Sequence, residues 1–140
     1  ERNIGWEGGL KAGLAVSKDP YVLFMNDDTV VPSHQRLWLT SLLNPFADIG
    51  CAAVGPTSNV VMGKQQMLTQ MQEIKIRTKF LIGFCMLVRR SDLEAAGGID
   101  VSLPGGDDLD LSIRLTRFCI WIDSTSNFNN VNKFIFNKII

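Results

Sequence analysis

Cysteine is scarce in this 140-residue chain, which has three: Cys51, Cys85 and Cys119. They are far apart and each lies in an apolar run, a pattern that argues against a disulfide framework or a zinc site and favours a reducing compartment. An excess of one charge is missing too, because Lys and Arg together number 14 and Asp and Glu also number 14. With no net charge, the chain as a whole is not attracted to nucleic acid or to an anionic membrane, so any partner must be recognised by a local site.

Long apolar runs are also missing. No stretch reaches the ~18 residues of a membrane-spanning helix, and Glu1 and Arg2 do not begin a secretory leader. A composition of 46% apolar and 20% charged residues is that of one globular domain. We therefore expect a soluble, cytoplasmic protein.

Several catalytic signatures are absent. The chain has no Walker loop, no G-x-G-x-x-G and no Ser-His-Asp set, so P-loop chemistry, ordinary dinucleotide binding and acyl transfer lack their motifs. The single histidine, His34, fits a surface turn better than a metal site, because no second His or Cys lies at ligand spacing. "MNDDT" at 25–29 is similar to the D-x-D-x-T of some phosphotransferases, but Asn26 stands at the nucleophile's position and cannot form an acyl phosphate.

What is present is an alternation of helical and strand patterns, which is typical of the α/β class. "GWEGGLKAGLAVSK" predicts a helix over 6–17 that stops before Pro20, and "YVLFM" at 21–25 predicts a strand covered on both faces, as in a parallel sheet. Further along we expect three more strands, over 51–56, 80–90 and 118–123, and a long loop or short helix over 57–79. We also expect three more helices: one over 33–46 capped by Ser33, one capped by Ser91 and closed by Gly97 and Gly98, and one opening at Asp107 or Asp108.

Two acidic clusters stand out in this pattern. Asp27 and Asp28 follow the first predicted strand, while Asp107, Asp108 and Asp110 open the last predicted helix. Ligands of open α/β sheets gather at the carboxyl ends of the strands. Magnesium and manganese prefer carboxylate oxygens, with water and substrate phosphates completing their coordination. The two clusters thus suit different roles, in which one binds a cation and the other accepts or donates a proton.

A structural interpretation of the same acids stays open at this point. Aspartates are favoured in turns and at helix N-caps, where they accept backbone N–H bonds, and Asp110 with Arg114 has the spacing of a helical ion pair. Gly83, inside the predicted strand 80–90, indicates a bulge or a close approach by a ligand or another part of the chain. Trp6 is most simply a core or half-buried aromatic, although beside Gly5 it is also placed to border a ligand.

Five segments in order resemble glycosyltransferase family 2, the inverting sugar transferases with the GT-A fold. They are "NIGWEGGLKAGLA", "YVLFMNDDTVVP", "AAVGPTSN", "FLIGFCMLVRRSDLEAAGGID" and "GGDDLDLSIRL", over about residues 3–115. The resemblance implies an α/β GT-A-like domain over residues 1–123, a mixed sheet flanked by helices with its N-terminal strands missing. It leaves residues 124–140 as an atypical tail rich in Asn, Ile, Phe and Lys.

The resemblance also implies a site and a reaction. The family's D-x-D element falls on Asn26, Asp27 and Asp28, with Asp28 and Asp27 as ligands of a divalent cation, Mn²⁺ or Mg²⁺, that bridges the diphosphate of a nucleotide-sugar donor. Asn26 replaces an acid, which predicts weaker cation binding. Gly83 is assigned to the same cofactor site. The catalytic base falls on Asp108, with Asp107 in support. The implied acceptor is a hydroxyl of a saccharide, a lipid-linked molecule or a protein.

Alternative functions remain open in the sequence. A non-catalytic module with the same fold would bind a glycan or a partner chain, and a fragment without its donor pocket would be inactive. Sheet edges left free by missing strands favour oligomers. The sequence leaves peripheral membrane association open, and it identifies neither the sugar nor the nucleotide nor the acceptor.

Overall fold

The computed structural model describes residues 4–59, 61, 63–66 and 75–130. Four α-helices and six strands form the described part of the chain. The helices are α1 (Gly5–Val16), α2 (Trp38–Leu43), α3 (Arg90–Ala95) and α4 (Asp107–Leu115), and the strands are β1 (Tyr21–Met25), β2 (Thr29–Val30), β3 (Cys51–Ser58), β4 (Lys75–Thr78), β5 (Cys85–Arg89) and β6 (Cys119–Asn130). Short 3₁₀ helices lie at Asn44–Ala47 and Gly63–Gln65.

The six strands form one mixed sheet. Its main path runs β1-β5-β3-β6-β2, and β4 also pairs with β6. β5 is antiparallel to both β1 and β3, whereas β3 and β6 are parallel. The predicted parallel environment of β1 is therefore wrong, although the strand has the predicted bounds. A continuous apolar run signals cover on both faces, and this cover is independent of the direction of the neighbouring strand.

Helices cover both faces of the sheet. On β1, Val22 and Phe24 face the α1, α3 and α4 side, and Leu23 and Met25 face the α2 side. Leu111 and Leu115 of α4 are among the buried residues of the first side, which also includes Leu81, Met86, Val88, Leu93, Ile120 and Ile122. The second side is built on Leu42, Phe46, Cys51, Val54, Val61, Phe84, Cys85 and Leu87. The expected mixed sheet flanked by helices is what the described residues form.

The predicted strand over 80–90 is shorter than expected, because its first half is a turn. The backbone N–H groups of Leu81, Ile82 and Gly83 donate to side chains instead of to a neighbouring strand. Their acceptors are Ser112 Oγ at 3.2 Å, Gln65 Oε1 at 2.6 Å and Asp108 Oδ2 at 2.9 Å. With these donors occupied, ladder pairing begins only at Cys85.

Two predicted helix starts need correction. Ser33 does not cap α2, because a turn in which Gln35 N–H donates to the Pro32 carbonyl delays the helix until Trp38. Ser91 does not cap α3 either, since the helix begins at Arg90, two residues earlier than a Ser91 cap implies, and Arg89 is its N-cap residue. The end of α3 is as predicted: Gly97 and Gly98 have φ of +91° and +76°, which glycine adopts without steric cost.

The segment 57–79 contains more regular structure than expected. β3 continues through Ser58, and β4 occupies Lys75–Thr78, while residues 67–74 lie outside the described part. The predicted strand over 118–123 is longer as well, since β6 runs through the predicted domain boundary to Asn130. Beyond Asp123 the strand pairs with the end of β3 and with β2, which explains its length. No described helix is long and apolar enough to cross a membrane.

Candidate functional site

The turn after β1 is held to the turn before β5. The Phe84 carbonyl accepts hydrogen bonds from the Asn26 N–H at 2.9 Å and from the Thr29 hydroxyl at 3.2 Å. These bonds follow from the antiparallel register, in which Met25 at the end of β1 lies opposite Cys85 at the start of β5. The acidic turn of residues 26–28 is therefore fixed at one edge of the sheet by backbone geometry.

The residue before Phe84 contacts the second acidic cluster. The Gly83 N–H donates to Asp108 Oδ2 at 2.9 Å, and the Leu109 N–H donates to Asp108 Oδ1 at 2.8 Å. A Cβ atom added to Gly83 would lie 3.0 Å from Asp108 Cβ, which is tighter than most real Cβ contacts. The close approach indicated by this glycine is thus made by the Asp108 side chain.

Neither Asp107 nor Asp108 is the N-cap residue of α4. That position is Gly106, whose φ of +75° gives the chain its turn into the helix. Both acids instead occupy the first helical turn, where the positive end of the helix dipole favours negative charge. The predicted pair of Asp110 with Arg114 is confirmed, with Arg114 Nε donating to Asp110 Oδ2 at 2.9 Å.

Asp107 lies in a partly desolvated, acidic setting. Burial raises the pKa of its carboxyl, and the neighbouring charges of Asp108 and Glu7 raise it further. Hydrogen bonds from its own backbone and from the Trp6 side chain oppose the rise in pKa. Trp6 is 41% exposed, so the carboxyl lies beside an aromatic ring that faces solvent.

Asp28 differs from the other acids of the site in having a buried oxygen without a partner. Its Oδ1 is shielded from solvent and accepts no hydrogen bond. A buried, unpaired carboxylate oxygen is costly unless a donor or a cation reaches it. Within the described ranges, however, no three His, Cys, Asp or Glu side chains come together as a group that could hold a metal ion. A cation at Asp28 therefore needs most of its ligands from water and substrate.

The structure joins the predicted site residues in two groups. Gly83, Asp107 and Asp108 line one small cavity, whose other residues are Trp6, Leu10, Phe24, Met86, Ile99 and Leu111. Its volume of about 20 Å³ is too small for a sugar or a nucleotide. Asn26, Asp27 and Asp28 form the second group outside that cavity, and the Gly83–Phe84 turn connects the two groups.

Three further polar residues at the same edge of the sheet were not predicted as site residues from the sequence. Thr57 and Ser58 are fully buried at the end of β3, and Asp123 on β6 is 2% exposed, in register with Pro56 and Lys75. Each of these three residues takes part in at least one non-covalent interaction with the rest of the chain. The available signal was an acid and two hydroxyls at the ends of apolar strands, a pattern that these runs share with ordinary turns.

Comparison with known protein families supplies one match. The model of the family described as "Glycosyl transferase family 2" matches residues 1–97, which is 97 of the 140 residues. The matched span includes the acidic turn and Gly83, and it ends before Asp107 and Asp108. No curated protein matches the chain.

Proposed function

The chain belongs to glycosyl transferase family 2, and from this premise we propose that it transfers a sugar from a nucleotide-sugar to an acceptor hydroxyl with inversion, on a GT-A-type sheet. The observation that carries the proposal is the Gly83–Phe84 turn. The Phe84 carbonyl accepts a hydrogen bond from Asn26 in the turn that contains Asp28, and the Gly83 N–H donates one to Asp108. Acids more than 75 positions apart are thereby fixed to two adjacent residues.

Asp28 is the proposed ligand of a divalent cation, with Asp27 beside it. The unpaired, buried Oδ1 of Asp28 supports this assignment, because a cation would satisfy it. When bound, the cation neutralises charge that develops on the departing diphosphate. A single aspartate with water and phosphate ligands matches magnesium and manganese, which keep several non-protein ligands. Asn26 contributes its backbone N–H to the turn, so its side chain need not be acidic for the turn to form.

The acid pair of α4 is proposed to supply the base. An acceptor hydroxyl must lose its proton as its oxygen attacks the anomeric carbon, while the bond to the diphosphate oxygen breaks. Both carboxyl groups lie in the first turn of the helix, and burial raises the pKa of Asp107, which favours proton uptake. The acceptor is a hydroxyl compound, and the donor is a nucleoside diphosphate sugar.

The proposal is tested by nucleotide binding to the whole chain. We expect UDP, GDP or dTDP with millimolar manganese to raise the melting temperature, and a ligand at about 100 times its Kd stabilises by ~2.7 kcal/mol. Release of nucleoside diphosphate from UDP-glucose, UDP-N-acetylglucosamine, GDP-mannose or dTDP-rhamnose is the accompanying activity assay. Absence of both responses with every nucleotide contradicts the proposal. Glycan binding without any nucleotide response identifies a non-catalytic binding module instead.

A further inference from the structure

Two of the three cysteines lie opposite each other at one end of the sheet. Residues 52–118 separate Cys51 from Cys119 in the sequence, but β3 and β6 are parallel neighbours and the two cysteines are Cα partners in their register. The Cys119 N–H donates to the Gly50 carbonyl at 2.7 Å, which fixes the start of β6 beside Cys51. Neighbouring strands lie ~4.8 Å apart, and a disulfide spans Cα–Cα distances of roughly 4.4–6.8 Å. The backbone therefore places the pair at a separation that a disulfide can bridge.

The two thiols lie on the same face of the sheet. Cys51 belongs to the buried residues of the α2 side, and Trp121 packs against them, whereas Ile120 lies on the opposite side. Because successive side chains of a strand alternate between faces, Cys119 lies on the side of Trp121 and Cys51. Burial raises the pKa of Cys51 to about 12, and the neighbouring Cys119 thiol adds to the rise. The two thiols are thus close enough to influence each other, and both are free.

Access from solvent differs among the three cysteines. Cys51 is fully buried, whereas Cys119 is partly exposed, so a reagent in solution meets Cys119 first. Cys85 is buried as well, and the antiparallel register of β5 with β3, in which Leu87 lies opposite Val54, places it toward the other end of β3 from Cys51. Only Cys51 and Cys119 are therefore arranged to react with each other.

We propose that Cys51 and Cys119 form a reversible disulfide that links β6 to β3 when a low-molecular-weight disulfide, such as oxidised glutathione, is present. The Cys119 thiolate first attacks one sulfur of the reagent, which gives a mixed disulfide at Cys119 and releases one reduced thiol. Cys51 Sγ then loses its proton and attacks Cys119 Sγ, and the second reduced thiol leaves with the electron pair of the broken S–S bond. The two cysteines are oxidised, and the reagent is reduced to two thiols.

The place of the pair in the sheet indicates what the bond does. β6 pairs with β2, β3 and β4, so a bond at its first residue holds a strand on which two others depend. β5 is antiparallel to both β1 and β3, so β1 and β3 run in the same direction. The cysteines at the start of β3 therefore lie at the opposite edge of the sheet from the acidic turn that follows β1. The link stabilises the sheet from outside the proposed site, and it does not depend on the proposed function.

The test treats the whole folded chain with oxidised glutathione at about pH 8, near the ordinary thiol pKa, and maps the products by mass spectrometry without reduction. We expect the loss of two hydrogen atoms and a pair of peptides linked through Cys51 and Cys119. The melting temperature should rise by ~5–15 °C, because the link closes a long loop of the unfolded chain. Dithiothreitol should reverse both changes.

Three alanine variants are matched, because each replaces a thiol with a smaller side chain without a polar group, and their melting temperatures before oxidation verify that they fold. Cys85→Ala should form the same link as the wild type. Cys51→Ala should stop at the mixed disulfide on Cys119, and Cys119→Ala should give neither adduct nor link.

Three results would overturn the proposal. The first is a wild-type chain that stops at the glutathione adduct of Cys119 or joins two chains through it. The second is a link between Cys51 and Cys119 that forms only after unfolding in urea. The third is a link in the folded chain that leaves the melting temperature unchanged or lowers it, which would mean that the bond does not stabilise the sheet.

Discussion

The Phe84 carbonyl accepts the Asn26 N–H at 2.9 Å, which fixes the end of β1 to the start of β5. This bond extends the antiparallel ladder by one step beyond Met25 and Cys85. The neighbouring Gly83 N–H donates to Asp108, so the Gly83–Phe84 turn is hydrogen-bonded both to the acidic turn of residues 26–28 and to helix α4. The geometry of the proposed site therefore depends on Gly83 and Phe84, whose side chains take no part in the proposed reaction.

Gly83→Ala should disturb this turn. The new Cβ would lie 3.0 Å from Asp108 Cβ, and overpacking of this kind costs about 1–3 kcal/mol. The φ of Gly83 is not positive, so the cost comes from the contact alone. Gly9→Ala is the matched control, because that position lies in α1 with nothing within 4 Å, and it should be neutral or stabilising by up to ~1 kcal/mol. Urea denaturation of both variants measures the difference, and equal effects would contradict the close approach.

Asp28→Asn should weaken manganese binding by removing the charge of the proposed ligand. We expect at least a tenfold rise in Kd, about 1.4 kcal/mol, measured by the paramagnetic signal of free manganese in the presence of UDP. The fold should persist, since Oδ1 of Asp28 makes no hydrogen bond to lose. Glu94→Gln removes an equal charge from an exposed site on α3 and should leave the affinity unchanged. Unaltered affinity in Asp28→Asn would place the cation elsewhere.

Arg114→Lys should destabilise the packing of α4 on the end of α3. The guanidinium donates to the carbonyls of Ala96 and Gly98, both at 2.7 Å, and to Asp110. An ammonium cannot reproduce this planar set of donors. We expect a loss of about 1–3 kcal/mol in the free energy of unfolding, from charge-assisted bonds that are partly buried.

The control for that change is Arg117→Lys, near the end of the same helix on an exposed position. It should stay within about 0.5 kcal/mol of the wild type, as surface changes usually do. Chemical denaturation at one pH measures both. A conservative Lys that restores full stability at position 114 would mean that charge alone, and not the fork of donors, connects the two helices.

Asp107→Asn should change how stability depends on pH. The folded-state pKa of Asp107 is raised above its unfolded value, so its stabilising contribution is complete below the unfolded pKa and is lost as pH rises through the folded pKa. Wild-type unfolding free energy should therefore decline relative to the Asn variant as pH rises from about 4 to about 7. Denaturant titrations at a series of pH values measure this difference. A difference of the opposite sign would mean that the carboxylate is stabilised by the fold.

The buried thiols should resist alkylation in the native protein. Burial raises the pKa of Cys85 to about 12, and burial is also the main cause that raises the pKa of Cys51 to about 12. Only thiolates react rapidly, and neither side chain is exposed. Iodoacetamide at about pH 8, below the ordinary thiol pKa, should leave both unmodified by mass spectrometry and label them after unfolding. Rapid native labelling of Cys85 would show that the core of the sheet opens to solvent.

Local patterns predicted the elements whose signals are local. β1 has the predicted bounds, and α1 is displaced by one residue from the expected helix over 6–17, because an apolar run and a proline act on neighbouring residues. Gly97 and Gly98 end α3 as predicted, for the same reason. The acids of α4 were correctly placed in its first turn, although Gly106 and not an aspartate is the N-cap residue.

The predictions that were wrong involve distant partners. Residues 81–83 read as strand, yet their N–H groups donate to side chains 17–31 positions away. The direction of β5 relative to β1 is likewise invisible in an apolar run. The burial of Thr57, Ser58 and Asp123 was not predicted, because a polar residue is buried only where distant segments of the chain supply its packing and its polar partners.

The sequence by itself determined most of the helices and strands, including β1 and α1, and the two acidic clusters, because these depend on the order of neighbouring side chains. Only the tertiary structure decided that both clusters are hydrogen-bonded to the Gly83–Phe84 turn, that Asp28 has an unpaired buried oxygen and that Asp107 and Asp108 have different surroundings. The physical reason is that hydrogen bonds and desolvation act through space. Their strength is set by atoms far apart in the chain, which come together only when the sheet has formed.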